Sequence, residues 1–74
     1  MLHVRLFRAR QRLFDGRAAL VVLPGEAGEL SVLDCHAPML CVLTQGHVHV
    51  DQMRVPVQSG LARIEHNRVT ILTD

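Results

Sequence analysis

The sequence predicts a small all-β domain, a flattened sandwich or barrel of about eight short strands. Three observations carry this. Apolar residues recur with period two in most segments, the spacing of half-buried strands rather than of helices. Turn-forming residues punctuate the chain at roughly eight- to twelve-residue intervals. The apolar runs are short and rich in β-branched residues, as in Val21-Val22 and Val48 to Val50.

Leu2, Val4 and Leu6 alternate with His3, Arg5 and Phe7, which reads as a first strand. Leu6, Arg10, Leu13 and Phe14 also fit helical spacing, but no capping residue precedes Leu6 and three arginines crowd the stretch, so the strand reading is preferred. Asp15-Gly16 is expected to turn the chain, since Gly accepts positive φ and Asp bonds its own backbone. Ala18 to Leu23 then forms one apolar strand, ended by Pro24-Gly25. Leu30 and Val32 point one way, Glu29 and Ser31 the other. Asp34 to Pro38 is irregular, and Pro38 turns Ala37 away from helix. Met39 to Thr44 is a further strand, closed by Gln45-Gly46. His47, Val48, His49 and Val50 alternate strictly before a tight turn at Asp51-Gln52. Met53 to Gln58 continues as a strand that Pro56 confines to an edge or a bulge, because proline donates no ladder hydrogen bond. Ser59-Gly60 turns the chain into a last hairpin, Leu61 to Glu65 and Arg68 to Thr73, across His66-Asn67.

Composition narrows the classes. The chain has 74 residues, is 49% hydrophobic and carries a formal net charge of +1. It is short for two domains, so residues 1–74 read as a single one. It is too apolar and too weakly charged for a disordered tail. No apolar run approaches the roughly 20 residues of a membrane-spanning helix. Arginines at 5, 8, 10 and 12 break any signal-peptide pattern, and the expectation is a soluble domain inside the cell. All eight basic residues are Arg, which suits interface ion pairs. Cys35 and Cys41 span only a short loop and are expected to stay unpaired.

The candidate chemistry is sparse. His47 and His49 share one strand face, and Cys35-His36 sits in a loop, but the ligand pairs of a structural zinc site are missing. No metal or other cofactor is therefore expected. Adjacent Cys35 and His36 make a poor nucleophile–base pair, since such pairs are normally assembled from distant positions. Gly25-Glu26-Ala27-Gly28 lacks the lysine and the helix of a phosphate loop. Arg5, Arg8, Arg10, Arg12 and Arg17 form a basic N-terminal stretch, but stacking aromatics are few and nucleic acid is not favoured as a partner. A His/Cys metal or thiol site and a basic nucleic-acid module stand as the alternatives.

One ordered series of motifs is more specific. Leu13-Phe14-Asp15-Gly16 is followed by Gly28-Glu29-Leu30-Ser31-Val32-Leu33, then by Asp34-Cys35-His36-Ala37-Pro38-Met39-Leu40. Ser59-Gly60-Leu61 and Val69-Thr70-Ile71-Leu72 close it. In this series the chain resembles the N-terminal domain of the epsilon subunit of F-type ATP synthases, over nearly its whole length. The resemblance implies a β-sandwich of about ten short strands, eight to ten with the reading above, in the central stalk of a rotary motor, at the foot of the gamma subunit and on the polar loops of the membrane c-ring. It implies a non-catalytic rotor subunit in proton- or sodium-coupled ATP synthesis and hydrolysis, peripheral on the cytoplasmic face of the membrane, with no small-molecule substrate.

Carried over residue by residue, the resemblance puts Glu29 and His36 in c-ring contact, with Gly28, Ala37 and Pro38 as the supporting loop residues. Three local departures stand out. The family's Pro-Gly before the histidine is Asp34-Cys35 here, the second Gly of its Ser-Gly-Gly is Leu61, and the hairpin at Asp51-Gln52 is shorter than is common in the family. The family usually continues into a pair of C-terminal helices. This sequence stops at Asp74, and the resemblance assigns it no inhibitory or nucleotide-sensing role.

Overall fold

The computed structural model describes residues 1–74. The chain forms β1 (Leu2–Arg8), β2 (Gln11–Ala18), β3 (Val21–Gly25), β4 (Gly28–Val32), β5 (Met39–Leu43), β6 (Gly46–Val50), β7 (Met53–Val57), β8 (Gly60–Glu65) and β9 (Arg68–Thr73). The expected all-β class is found, with strand rather than helix over Leu6 to Phe14 apart from the turn between β1 and β2.

All nine strands belong to one sheet in the order β2-β1-β9-β8-β5-β3-β6-β7, with β4 on the free side of β3. Neighbours are antiparallel except β1 and β9, which run parallel. The sheet curls because β5 and β6 act as one bent ribbon. β3 pairs with β6 at Val21↔Val50 and Val22↔His49, then with β5 at Gly25↔Leu43. The register jumps between these pairs, as it does where a bulge bends a strand. Thr44 N–H donates to the Pro24 carbonyl across the bend. β2, β1, β9, β8 and β5 thus face β4, β3, β6 and β7 across a shared core.

The period-two pattern decides which side chains fill that core. Leu2, Val4 and Leu6 of β1 are buried, and so are Val21 and Leu23, Val48 and Val50, Ala62 and Ile64, Val69 and Ile71. Leu13, Phe14, Leu30, Met53 and Val55 pack around them. Gly60 is fixed by close approach: a Cβ there would lie 2.3 Å from the Leu72 carbonyl oxygen. Leu61, where the related motif has a second glycine, is an ordinary strand residue outside the left-handed region.

Two local expectations are corrected. Asp15 and Gly16 do not turn the chain; they lie inside β2, opposite Arg5 and Val4, and the turn falls at Ala9-Arg10. Tertiary partners outweigh the turn propensity of the dipeptide. Asp15 accepts hydrogen bonds from His3 at 2.7 Å and Arg12 at 3.2 Å, and the Phe14 ring fills the space beside Gly16. Ala18 to Leu23 is not one strand either. Ala18 ends β2, and Ala19-Leu20 crosses to β3. Asp51 Oδ1 accepts both the Ala19 and the Leu20 N–H at 3.0 Å, while Asp51 N–H returns to the Leu20 carbonyl.

Similar side-chain brackets hold the other loops. Asn67 Oδ1 accepts the Cys35 N–H at 2.7 Å, and its carbonyl accepts the His3 N–H. Asp74 Oδ1 accepts the Thr73 hydroxyl at 2.8 Å and the Gln58 and Ser59 N–H groups at 3.1 and 3.2 Å. The Thr73 hydroxyl, then the two backbone donors, hold the Asp74 carboxyl below its ordinary range. A lowered folded value means that the bracket stabilises fully above the unfolded carboxylate range near pH 4 and is lost as pH falls through the folded value.

Two outcomes follow. Leu23→Ala removes a fully buried side chain and should cost about 2–5 kcal/mol in denaturant unfolding. Asp74→Asn should lower the melting temperature at pH 7, and the gap from wild type should narrow on acidification below about pH 4. A gap independent of pH would show that the carboxylate charge is not what the bracket uses.

Candidate functional site

Glu29 is the second residue of β4, facing away from the core. Gly28 opens the strand at φ 129°, a conformation that L side chains rarely adopt, with open space where a Cβ would be. The tight Glu26-Ala27 connection therefore delivers Glu29 to solvent opposite Pro24. Its carboxylate has no ion-pair partner within the chain.

His36 lies in the connection between β4 and β5, half-buried. Its Nδ1 is 2.7 Å from the Ala37 carbonyl oxygen. A carbonyl only accepts, so Nδ1 carries the proton and Nε2 is left for an outside partner. The His36 N–H donates to the Leu33 carbonyl, and Pro38 leads directly into β5. Cys35, standing where the related motif has Gly, takes the glycine-like backbone conformation, φ 63°. The Asn67 side chain holds its N–H there. The loop thus keeps a left-handed residue although the glycine is gone.

The structure places Glu29 and His36 in adjoining depressions rather than in one. Glu29 lines a hollow with Glu26, Leu30, Met39 and Leu40, and His36 one with Cys35, Pro38, His66 and Asn67. The consecutive residues Pro38 and Met39 join the two. Gly28 and Pro38 are lining residues, and Ala37 contributes its carbonyl.

The alternative chemistries gain no geometry. No group of three or more His, Cys, Asp or Glu side chains is placed to hold a metal ion. His47 and His49 have ring centroids 6.4 Å apart on β6, with Pro56 and Arg54 as their cross-strand neighbours on β7. Both cysteines are free. Burial pushes the Cys41 thiol up, away from the thiolate that a nucleophile needs. No helix is long and apolar enough to cross a membrane.

Residues 1–74 match the family model of the ATP synthase delta/epsilon chain β-sandwich domain. The chain belongs to this family. Among its relatives are the ATP synthase epsilon chains of Polaromonas naphthalenivorans and Bordetella parapertussis, each 36% identical over 78 aligned residues. Each alignment covers 99% of this chain and 56% of the relative, so the chain spans about half the length of the curated relatives it matches. The fold is also that of a chain in the cryo-EM structure of the Euglena gracilis mitochondrial ATP synthase OSCP/F1/c-ring assembly. There the TM-score is 0.87 at 20% identity, over 97% of this chain and 49% of that one.

Within this epsilon-type domain the loop geometry yields a direct test. Cys35→Gly should stabilise the fold by about 0.5–1 kcal/mol, because glycine relieves the left-handed strain. An unchanged or lower midpoint in urea would show that the Cys35 side chain makes a compensating contact.

Proposed function

We propose that the chain is a non-catalytic central-stalk subunit of a rotary F-type ATP synthase. It links the gamma subunit to the polar loops of the membrane c-ring during ion-coupled ATP synthesis and hydrolysis. The family match over residues 1–74 carries this reading. The naming of the relatives as epsilon chains and the OSCP/F1/c-ring assembly around the structural neighbour support it. Chemistry on ATP belongs to other subunits, and this domain has a mechanical part. Its place is peripheral, on the cytoplasmic face of a bacterial membrane.

Glu29 and His36 are the proposed c-ring contacts, on the support of Gly28, Ala37 and Pro38. The outward carboxylate of Glu29 and the free Nε2 of His36 are complementary to polar loop groups. Both side chains sit outside the core, so they are available to bind without weakening the fold.

The experiment separates binding from folding. Glu29→Ala with His36→Ala should leave the stability of the isolated chain within about 0.5 kcal/mol per site, as for surface positions. The same double variant should reduce co-purification with c subunits, through a loss of about 1 kcal/mol or more at the contact. Full co-purification and normal ATP-driven ion pumping would remove both residues from the contact.

A further inference from the structure

A polar hollow opens beside the β8–β9 turn. Cross-strand register sets Arg17 of β2, His3 of β1, Arg68 of β9 and Glu65 of β8 in one outward-facing row. Asp15, Arg5, Thr70 and Arg63 form the next row on the same strands. The hollow measures about 670 Å³, and its lining includes Arg17, His3 and Arg68 with the turn residues His66 and Asn67. Met1 is its one apolar lining residue, so an apolar ligand finds nothing there to bury against.

Charge around the hollow is unbalanced. Arg5, Arg12, Arg17, Arg63 and Arg68 stand against two carboxylates, Asp15 and Glu65. Asp15 is fully occupied, by His3 at 2.7 Å, Arg12 at 3.2 Å and Arg5 at 4.0 Å. Glu65 is held by Arg63 at 2.9 Å. It is also the cross-strand neighbour of Arg68. Its carboxyl is held below the ordinary range by Arg63 first, with smaller contributions from His66 and Arg68. Glu65 therefore screens Arg68 in part, but no ion pair of 4.0 Å or less joins them, and Arg17 has no carboxylate partner at all. The Met1 ammonium is paired with Asp34 at 3.0 Å. The surplus stays positive even with both histidines neutral. A neutral donor is also left over: Asn67 Oδ1 is taken by the Cys35 N–H, which leaves the amide N–H groups of that side chain for a ligand.

We infer that this hollow binds a phosphate group, carried by inorganic phosphate or by the headgroup of an acidic phospholipid. Arg17 and Arg68 flank His3 on either side, about 10 Å apart across two strand spacings. A carboxylate has two coplanar oxygens and suits one guanidinium fork. A tetrahedral phosphate presents oxygens on several sides, so it accepts from both guanidiniums and from the Asn67 amide together. The two arginines also repel each other, and an anion between them removes that cost. His66 and Asn67 line the hollow of His36 as well, so the site borders the proposed c-ring contact without using Glu29 or His36. It goes beyond the proposed function and does not depend on it.

The test titrates the full chain with inorganic phosphate by calorimetry at fixed ionic strength. Vesicles of phosphatidylcholine carrying phosphatidylglycerol are the second probe, read by co-sedimentation. Arg17→Gln with Arg68→Gln should weaken binding at least about tenfold, the worth of one charge-assisted hydrogen bond. Glu65→Gln should tighten it, because it removes the carboxylate beside Arg68. Arg54→Gln, on β7 in the other layer, should leave it unchanged. Arg17 and Arg68 are exposed, and an unchanged thermal melt shows that a loss is one of binding. Saturable binding of inorganic phosphate identifies a soluble anion as the ligand, and binding to the vesicles alone identifies the headgroup. Binding of neither probe would overturn the site. So would equal weakening by Arg17→Gln/Arg68→Gln and by Arg54→Gln, the result expected of diffuse surface charge. Co-purification with c subunits reads the proposed function separately, so either can fail alone.

Discussion

One sheet can enclose its own core only if a strand changes direction without losing its ladder, and the β5–β6 bend supplies that change. β3 follows the ribbon through the bend, pairing first with β6 and then with β5. Everything inward-facing depends on this. Val48 and Val50 belong to the same buried cluster as Leu2, Val4 and Leu6 of β1 and Val69 and Ile71 of β9, and the ribbon turns over at Thr44 to Gly46. The same bend carries the β3–β4 connection over β5, which is how Glu29 comes to share a hollow with Met39 and Leu40.

Strand identity was legible wherever alternation was strict and the breakers were local. His47 to Val50 and the final hairpin lie where their periodicity put them, and Pro56 lies on the edge strand β7 that its missing N–H requires. Local preference misleads where a distant partner overrules it. Asp15-Gly16 has turn chemistry, but His3 and Arg12 occupy the aspartate within a ladder. Ala19-Leu20 looks like strand, but Asp51 takes both of its N–H groups from more than thirty residues away. Neither partner is visible in a local window.

The placement of the two candidate residues is legible to a similar degree. The outward direction of Glu29 follows from the alternation Glu29, Leu30, Ser31, Val32, and the irregular loop of His36 from Pro38. Their separation into two adjoining hollows depends on the path of the curled sheet, which no spacing encodes. The exposed apolar side chains of β5, Met39, Leu40 and Val42, did leave a trace. Met39 to Leu43 is apolar on both faces, and in a layer with only one buried face such a run leaves one set of side chains uncovered. Reading it required the register of β5 against β8, which places Val42 next to Leu61.

The parallel pairing of β1 with β9 has a mechanical consequence. Force drawn through the chain at Leu2 and Thr73 pulls the two strands along their own axes in opposite senses. The hydrogen bonds between them then share the load in shear, whereas an antiparallel hairpin pulled open at its ends releases its bonds one at a time. β9 is also flanked by β8, so sliding it free breaks two ladders together. Single-molecule pulling reads such a clamp as one abrupt rupture, with no staged unzipping before it. That geometry keeps the domain stiff along the direction in which its first and last strands are tied.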